Sequence, residues 1–271
     1  MSTRAGVAAA HGARTPGTAV SGPVLFARYA YPPNALGYCG PGDPDALLGM
    51  ASQRTDLAGL RHLAAQFEGA WPYLELIAGC NDIADPLDHR VVEAYWTGNA
   101  LLARVGPGAL ASSLDERFAG RERRALAPVV AAVPGGIPQH CFHVFAVYPW
   151  LGLLRAGREG PALEVLDRCR IRWGTVMAAD GDAVTVRSRP LRFEGARLVL
   201  GDERPEVVRG GIDGSALCDP VVPGDTVSLH WDWVCDRLTP AALRWLRHCT
   251  ARNLEAVNAL ARPGPAVACG V

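Results

Sequence analysis

Apolar residues recur along this chain with two different periods. Through most of the first 160 residues they are spaced three and four apart, as at Leu57, Leu60 and Ala64, which is typical of amphipathic helices. Later, short runs alternate apolar with polar positions, as in residues 183–188 and 226–229, and this period of two predicts strands. We therefore predict an α+β protein in which an all-α domain precedes a small β domain and a C-terminal helix.

Local composition sets the predicted boundaries. Residues 1–22 are small and polar and cannot bury enough apolar surface to offset the entropy of ordering, so we predict a disordered tail. The helical domain then spans residues 23–160 and the β domain spans residues 161–264. A polar, glycine-bearing stretch at residues 155–160 joins them.

Prolines and capping residues predict where helices begin and end. Pro32 and Pro33 predict that residues 24–42 form a shaped loop, because proline interrupts a helix. Ser113 and Glu116 have the spacing of a capping box and predict the N-terminus of a helix.

Residues 224–246 carry the most informative pattern. They predict a turn, a strand that ends at His230, and a helix with Thr239 as N-cap and Pro240 in its first turn. Four features follow in order along the C-terminal third. Cys169 comes first, and a predicted strand that ends in Gly-x-Val at residues 174–176 follows it. A Gly-Asp-x-Val strand at residues 224–227 then carries His230, and an Arg-Leu step lies at residues 237–238.

Over about residues 168–260, this arrangement resembles the hydrogenase assembly chaperone family HypC/HupF. The resemblance implies a small HypC-like β-barrel, with residues 201–223 as an insertion between its strands. It also implies that Cys169 and His230 hold an iron ion with cyanide and carbon monoxide ligands and pass it on. The implied partners are the large subunit of a nickel-iron hydrogenase and other maturation proteins. Independently, a thiolate with an imidazole is a ligand pair that suits iron, copper or zinc.

A second group of candidate ligands lies in the helical domain. His140 and His143 are three residues apart, so on a helix they share a face and can hold one metal ion. The alternative is that one histidine bonds a helix terminus and the other fills the core. A carboxylate would complete such a site, and the candidates are Glu68, Glu75 and Glu93.

The glycine-rich loop near residue 40 is a candidate cofactor pocket. It carries Tyr38 and Cys39, and Glu93 is a further candidate for binding a cofactor there. Backbone N–H groups of the loop would make Cys39 a reactive thiolate if they lowered its pKa.

Composition excludes several classes of function. The formal net charge is zero, so there is no overall field to attract nucleic acid or an acidic membrane surface, and no apolar run reaches the length of a membrane span. Lysine is absent, which excludes lysine chemistry. The eight cysteines form no CxxC pair and no signal-peptide core precedes them, so we expect the reducing cytoplasm.

Three functions stay open from the sequence. The first is a hydrogenase maturation factor that binds, helps assemble or transfers an iron unit. The second is a mononuclear non-haem iron enzyme, with His140, His143 and a carboxylate performing small-molecule oxidation or ligand synthesis. The third makes the β domain an iron-free interaction module that docks a partner through Trp231, Trp233 and Trp245.

Overall fold

The N-terminal part of the chain is helical. The computed structural model describes residues 20–53, 57–119, 123–158 and 160–260. Its helices are α1 (Gly22–Ala35), α2 (Pro44–Gln53), α3 (Leu57–Ala64), α4 (Trp71–Cys80), α5 (His89–Trp96), a 3₁₀ turn (Ala100–Arg104), α6 (Pro107–Arg117), α7 (Arg123–Ala132), a second 3₁₀ turn (Val133–Gly135), α8 (His140–Phe142), a π-helical turn (His143–Val147), α9 (Trp150–Arg155), α10 (Gly160–Cys169) and α11 (Pro240–Ala259). Most of the predicted tail lies outside the described residues, and Gly22 already begins α1.

The first helix corrects the prediction of a loop at residues 24–42. Pro32 and Pro33 lie in the last turn of α1, where they remove only the donors to the Arg28 and Tyr29 carbonyls. The helix is buried from Gly22 to Asn34, so packing compensates for the missing bonds. Because residue 33 has no N–H group, the carbonyl of Tyr29 has no donor from within the helix.

The capping-box prediction is wrong. Ser113 lies inside α6, which begins at Pro107 after the N-cap residue Gly106. Proline is preorganised for the first helical position, so it opens this helix earlier than the serine would. The apolar segment after Pro138 is interrupted at Pro149, as expected, but its first part is α8 followed by the π-helical turn.

The strands form a mixed sheet. They are β1 (Arg172–Asp180), β2 (Ala183–Ser188), β3 (Leu191–Glu194), β4 (Arg197–Leu200), β5 (Arg204–Arg209), β6 (Thr226–His230) and β7 (Trp233–Arg237). β1 pairs antiparallel with both β2 and β6, β2 pairs with β5, and β6 pairs with β7. A parallel pair, Arg209 with Trp233, joins β5 to β7, so the pairings run in a ring. The separate hairpin β3–β4 lies beside it.

Two features of the sheet differ from the expectation. Residues 201–223 are not only an insertion, because they include β5, which pairs with β2 along its whole length. β1 does not end at the Gly-x-Val of residues 174–176 but continues to Asp180, whereas Cys169 precedes this strand as expected and is the last residue of α10. The cysteine is therefore held at the C-terminal end of a helix, just before the first strand.

Apolar packing crosses the predicted domain boundary. The larger core combines side chains of the N-terminal helices with Trp231, Trp233 and Leu254 from the C-terminal third. A smaller core fills the sheet with aliphatic side chains, namely Val176, Val184, Val186, Val208, Val227, Leu229 and Val234. The division into two domains stays a prediction. No helix in the described part of the chain is both long and apolar enough to cross a bilayer.

An ion pair joins α1 to β7. The Arg28 side chain is 2% exposed and donates from Nη1 to Asp236 Oδ1 over 2.8 Å, while its Nε and Nη2 have no hydrogen-bond partner among the residues that the structure describes. The guanidinium therefore depends on this carboxylate as its counter-charge. Such a buried charge is costly when its partner is removed.

We predict that Asp236→Ala lowers the free energy of unfolding by about 2–4 kcal/mol, because the buried Arg28 charge is left unpaired. Urea unfolding measures the change. The control is Glu255→Ala, which breaks the exposed pair with Arg252 and is expected to cost less than about 0.5 kcal/mol. Equal effects of the two substitutions would contradict the role given to Asp236.

Candidate metal centre

A cavity of about 140 Å³ lies between the helices and the sheet. It is close in size to engineered apolar cavities that hold one benzene molecule. Aromatic and apolar side chains form most of its wall, and its lining residues are Pro33, Tyr38, Cys39, Phe67, Gly69, Ala70, Tyr95, Trp96, His140, His143, Tyr148, Pro149, Trp150, Val165, Cys169, His230 and Trp231. Candidate metal ligands from three distant segments therefore meet at one cavity.

Three of these residues bring potential ligand atoms together. One atom each of His140, Cys169 and His230 lies within 4.8 Å of the other two, and all three residues are buried. His140 begins α8, Cys169 ends α10 and His230 ends β6. The pair expected from the resemblance is thus joined by one of the two helical histidines.

A hydrogen bond to α1 orients the His230 ring. Its Nδ1 lies 2.6 Å from the carbonyl oxygen of Tyr29, the acceptor left free by Pro33. A carbonyl only accepts, so Nδ1 carries the proton and Nε2 of the neutral ring carries the lone pair. This Nε2 is buried and has no partner among the described residues. A buried lone pair without a donor is what a metal ligand presents before the metal arrives.

Burial keeps all three groups neutral at pH 7. It lowers the pKa of His140 to about 4 and that of His230 well below its usual value. Burial also raises the pKa of the Cys169 thiol well above its ordinary range. Without a cation the centre therefore carries no charge, and a metal ion that binds here displaces the thiol proton.

The distances suit a metal centre that tightens slightly on binding. Cys169 Sγ lies 4.0 Å from His140 Nε2. A tetrahedral ion with ordinary metal–sulfur and metal–nitrogen bonds would hold these atoms about 3.5 Å apart. Two imidazoles and a thiolate suit zinc, iron or copper, and three protein ligands leave a coordination position open.

Tyr38 and Cys39 also line the cavity. The Tyr38 ring is exposed and stacks on Trp231, with ring centroids 4.4 Å apart. Burial raises the pKa of Cys39 to about 12, a shift opposite to the one that a reactive thiolate requires. It remains a protonated thiol at the cavity wall.

The structure does not join His143 or Glu93 to the three-residue centre. His143 lines the cavity, but its ring packs against Tyr73 and Tyr148, at centroid distances of 5.5 Å and 4.5 Å. The π-helical turn begins at His143, so the two helical histidines do not act as an ordinary i, i+3 pair. Glu93 lies outside the cavity wall, where its Oε2 accepts a bond from Asn99 Nδ2 over 2.7 Å.

The other candidate carboxylates and two of the candidate docking tryptophans lie elsewhere than the sequence predicts. Glu75 accepts a hydrogen bond from Trp71 Nε1 over 2.8 Å, and neither Glu75 nor Glu68 lines the cavity. Trp231 and Trp233 are 5% and 7% exposed, so they do not form an exposed docking surface. Their aromatic faces are used inside the protein instead.

Sequence reasoning missed the residues that support the ligands. Tyr29 supplies the carbonyl for His230, and Tyr95 Oη lies 3.2 Å from His140 Nδ1. A proline near the end of a helix was an available signal for the first, because it identifies a carbonyl four residues earlier that lacks its donor. Nothing local in the sequence signals the role of Tyr95.

We predict that Pro33→Ala weakens Zn²⁺ binding about tenfold, because the new N–H competes with His230 for the Tyr29 carbonyl. Calorimetric titration measures the affinity. The control is Pro32→Ala, whose new N–H meets the carbonyl of Arg28 instead. Equal affinities for the two variants would show that the Tyr29 carbonyl does not orient the ligand.

We predict that the metal-free protein loses stability as the pH falls below about 6.5, the usual pKa of an unfolded histidine. Burial lowers the pKa of His143 well below that value, so the unfolded chain takes up a proton that the folded protein excludes. Each pKa unit of lowering costs about 1.4 kcal/mol once the pH is below the folded pKa. Urea unfolding at pH 7 and pH 5 should show a smaller loss for His143→Gln than for the wild type, and equal losses would refute the assignment.

Comparison with known proteins shows one family match for this chain. A family model described as "Family of unknown function (DUF6390)" matches residues 18–263, a range that contains every residue of the cavity wall. No curated protein and no solved structure matches the chain. Because the match extends over most of the sequence, the chain belongs to the DUF6390 family.

Proposed function

We propose that this protein is a maturation factor for a nickel-iron hydrogenase, which carries an iron unit with cyanide and carbon monoxide ligands as its cargo. His140, Cys169 and His230 hold the iron, and the cavity takes the diatomic ligands. The cargo passes from other maturation proteins to the hydrogenase large subunit in the cytoplasm. The ring of strand pairings around β1, β2, β5, β7 and β6 is, in this proposal, a HypC-like barrel.

The observation that carries the proposal is the meeting of Cys169 and His230. They are far apart in sequence, yet a ligand atom of each lies within 4.8 Å of the other in a buried site. The resemblance to the chaperone family paired these two residues on sequence features alone. A chance resemblance gives no reason for their side chains to converge at a cavity.

The neutral state of the three candidate ligands also favours a cargo that is bound and later released. The three candidate ligands are neutral before loading, and the thiol of Cys169 strongly favours its protonated form because it is buried. Deprotonating it opposes binding, so the ion is held less tightly than by a preformed thiolate. Moderate affinity suits a protein that must release what it carries.

Diatomic ligands match the wall of the cavity. Most of the wall is apolar, but Trp96 and Trp231 each bury an indole N–H that has no acceptor among the described residues. A buried donor without a partner costs about 1–3 kcal/mol. The nitrogen end of a metal-bound cyanide is an acceptor for such donors, whereas carbon monoxide is suited to the apolar part.

The enzyme alternative lacks its carboxylate. No aspartate or glutamate belongs to the cavity wall as far as the chain is described, and the compact ligand group there contains only histidine and cysteine. A two-histidine, one-carboxylate iron site therefore has less support than a carrier site with a thiolate.

We predict that the chain, produced together with an iron-loading maturation system, shows infrared bands of metal-bound cyanide and carbon monoxide. Cys169→Ala should lose these bands, because the thiolate is the anionic ligand that holds the iron. Cys235→Ala is a matched control, since this cysteine is equally buried but does not line the cavity. Absence of the bands from the wild type, or their persistence in Cys169→Ala, would refute the proposal.

A further inference from the structure

The two histidines of the centre are held in opposite tautomers. His230 carries its proton on Nδ1, which donates to the Tyr29 carbonyl, and so offers Nε2 to a metal. His140 Nε2 lies 2.8 Å from the backbone carbonyl oxygen of Cys169. Since that oxygen only accepts, the His140 proton is on Nε2, the nitrogen that would otherwise bind the metal.

The second nitrogen of His140 is also engaged. Its Nδ1 carries the lone pair and accepts a hydrogen bond from the Tyr95 hydroxyl, with 3.2 Å between Oη and Nδ1. The hydroxyl occupies the approach to Nδ1, while Nε2 lies 4.0 Å from Cys169 Sγ. A metal ion held by the thiolate therefore reaches His140 through Nε2, after this nitrogen has lost its proton.

We propose that His140 is a conditional third ligand, which joins the metal only when its hydrogen bond with Tyr95 reverses. The N–H bond at Nε2 breaks, together with its hydrogen bond to the Cys169 carbonyl, and an N–H bond forms at Nδ1, so the ring stays neutral with one proton. Nδ1–H then donates to Tyr95 Oη, and the phenol keeps its own proton but turns it away from the ring. This inference rests on the proposed metal centre and describes how the number of its protein ligands, and so its affinity for the metal, changes.

Neighbouring rings hold Tyr95 in place. Its side chain is 1% exposed and packs against Trp96 and Tyr73, with centroid distances of 4.6 Å and 5.7 Å. The phenol oxygen therefore stays beside His140 in both states. A hydroxyl is both donor and acceptor, so it can serve either tautomer, which a carbonyl or a carboxylate cannot.

The consequence is a centre with two strengths of binding. Cys169 and His230 form a two-ligand state that is available at once, and recruiting His140 gives a three-ligand state. Metal-bound imidazole is a stronger hydrogen-bond donor at its other nitrogen, so Tyr95 contributes more to the three-ligand state than to the resting one. The carrier can thus bind its cargo with higher affinity in the three-ligand state and return to the lower-affinity two-ligand state without unfolding.

Nitrogen-15 NMR of the histidine rings in the full-length chain tests the proposal, with Zn²⁺ as a diamagnetic probe. Without metal, His140 is expected with its proton on Nε2 and His230 with its proton on Nδ1. With Zn²⁺, both rings should carry the proton on Nδ1. If His140 keeps its proton on Nε2 while Zn²⁺ is bound through His230, the conditional ligand is refuted and the metal centre is not.

Substitution at Tyr95 gives an independent measurement. Tyr95→Phe is expected to weaken Zn²⁺ binding about 10–100-fold, because Nδ1–H loses its acceptor. Tyr73→Phe is the matched control, since Tyr73 is equally buried and its hydroxyl has no hydrogen-bond partner in the described structure. Wild-type affinity in Tyr95→Phe would overturn the role of Tyr95, whereas unchanged Zn²⁺ binding in His230→Ala would overturn the metal centre and this inference with it.

Discussion

The hydrogen bond between His230 Nδ1 and the Tyr29 carbonyl is the contact on which the centre depends. It is 2.6 Å long and joins the end of β6 to α1, two elements about 200 residues apart in the chain. Pro33 lacks the N–H that would donate to the Tyr29 carbonyl within the helix, and this carbonyl accepts from His230 instead. The missing N–H group at residue 33 of α1 therefore favours the His230 tautomer with its proton on Nδ1, which leaves Nε2 free for a metal.

Burial gives the centre its chemistry as much as the ligands do. The low-polarity surroundings keep both histidines and the thiol neutral, so the site attracts a cation only by offering lone pairs and an exchangeable proton. Trp96 contacts both imidazole rings, with centroid distances of 4.8 Å to His140 and 5.7 Å to His230. Its indole excludes water from one side, which strengthens every electrostatic interaction inside.

The candidate ligands come from both the helices and the sheet. His140 and Cys169 lie on helices, whereas His230 lies on the sheet, so an ion bound to all three would join the two parts. Anything that binds the folded state alone stabilises it by mass action. The Arg28–Asp236 ion pair and the larger apolar core join the same two parts without a metal.

Local signals in the sequence were sufficient for several elements and ligands. Alternating residues predicted β2 and β6, and the Thr239 cap is present, with its Oγ1 accepting from the Ala242 N–H over 3.1 Å. These features depend on neighbours in the chain, which is what periodicity and capping report. The resemblance to the chaperone family singled out Cys169 and His230 as candidate ligands, and the three-residue spacing of His140 and His143 singled out those two histidines.

Only the tertiary structure decided which candidates meet. It joined His140 rather than His143 to Cys169 and His230, and it left Glu93 outside the cavity wall. It also kept Pro32 and Pro33 within α1, since burial against the rest of the protein outweighs the hydrogen bonds lost at the end of that helix. Spacing along the sequence carries no information about contacts between segments tens of residues apart, and those contacts are set by packing of the complete chain.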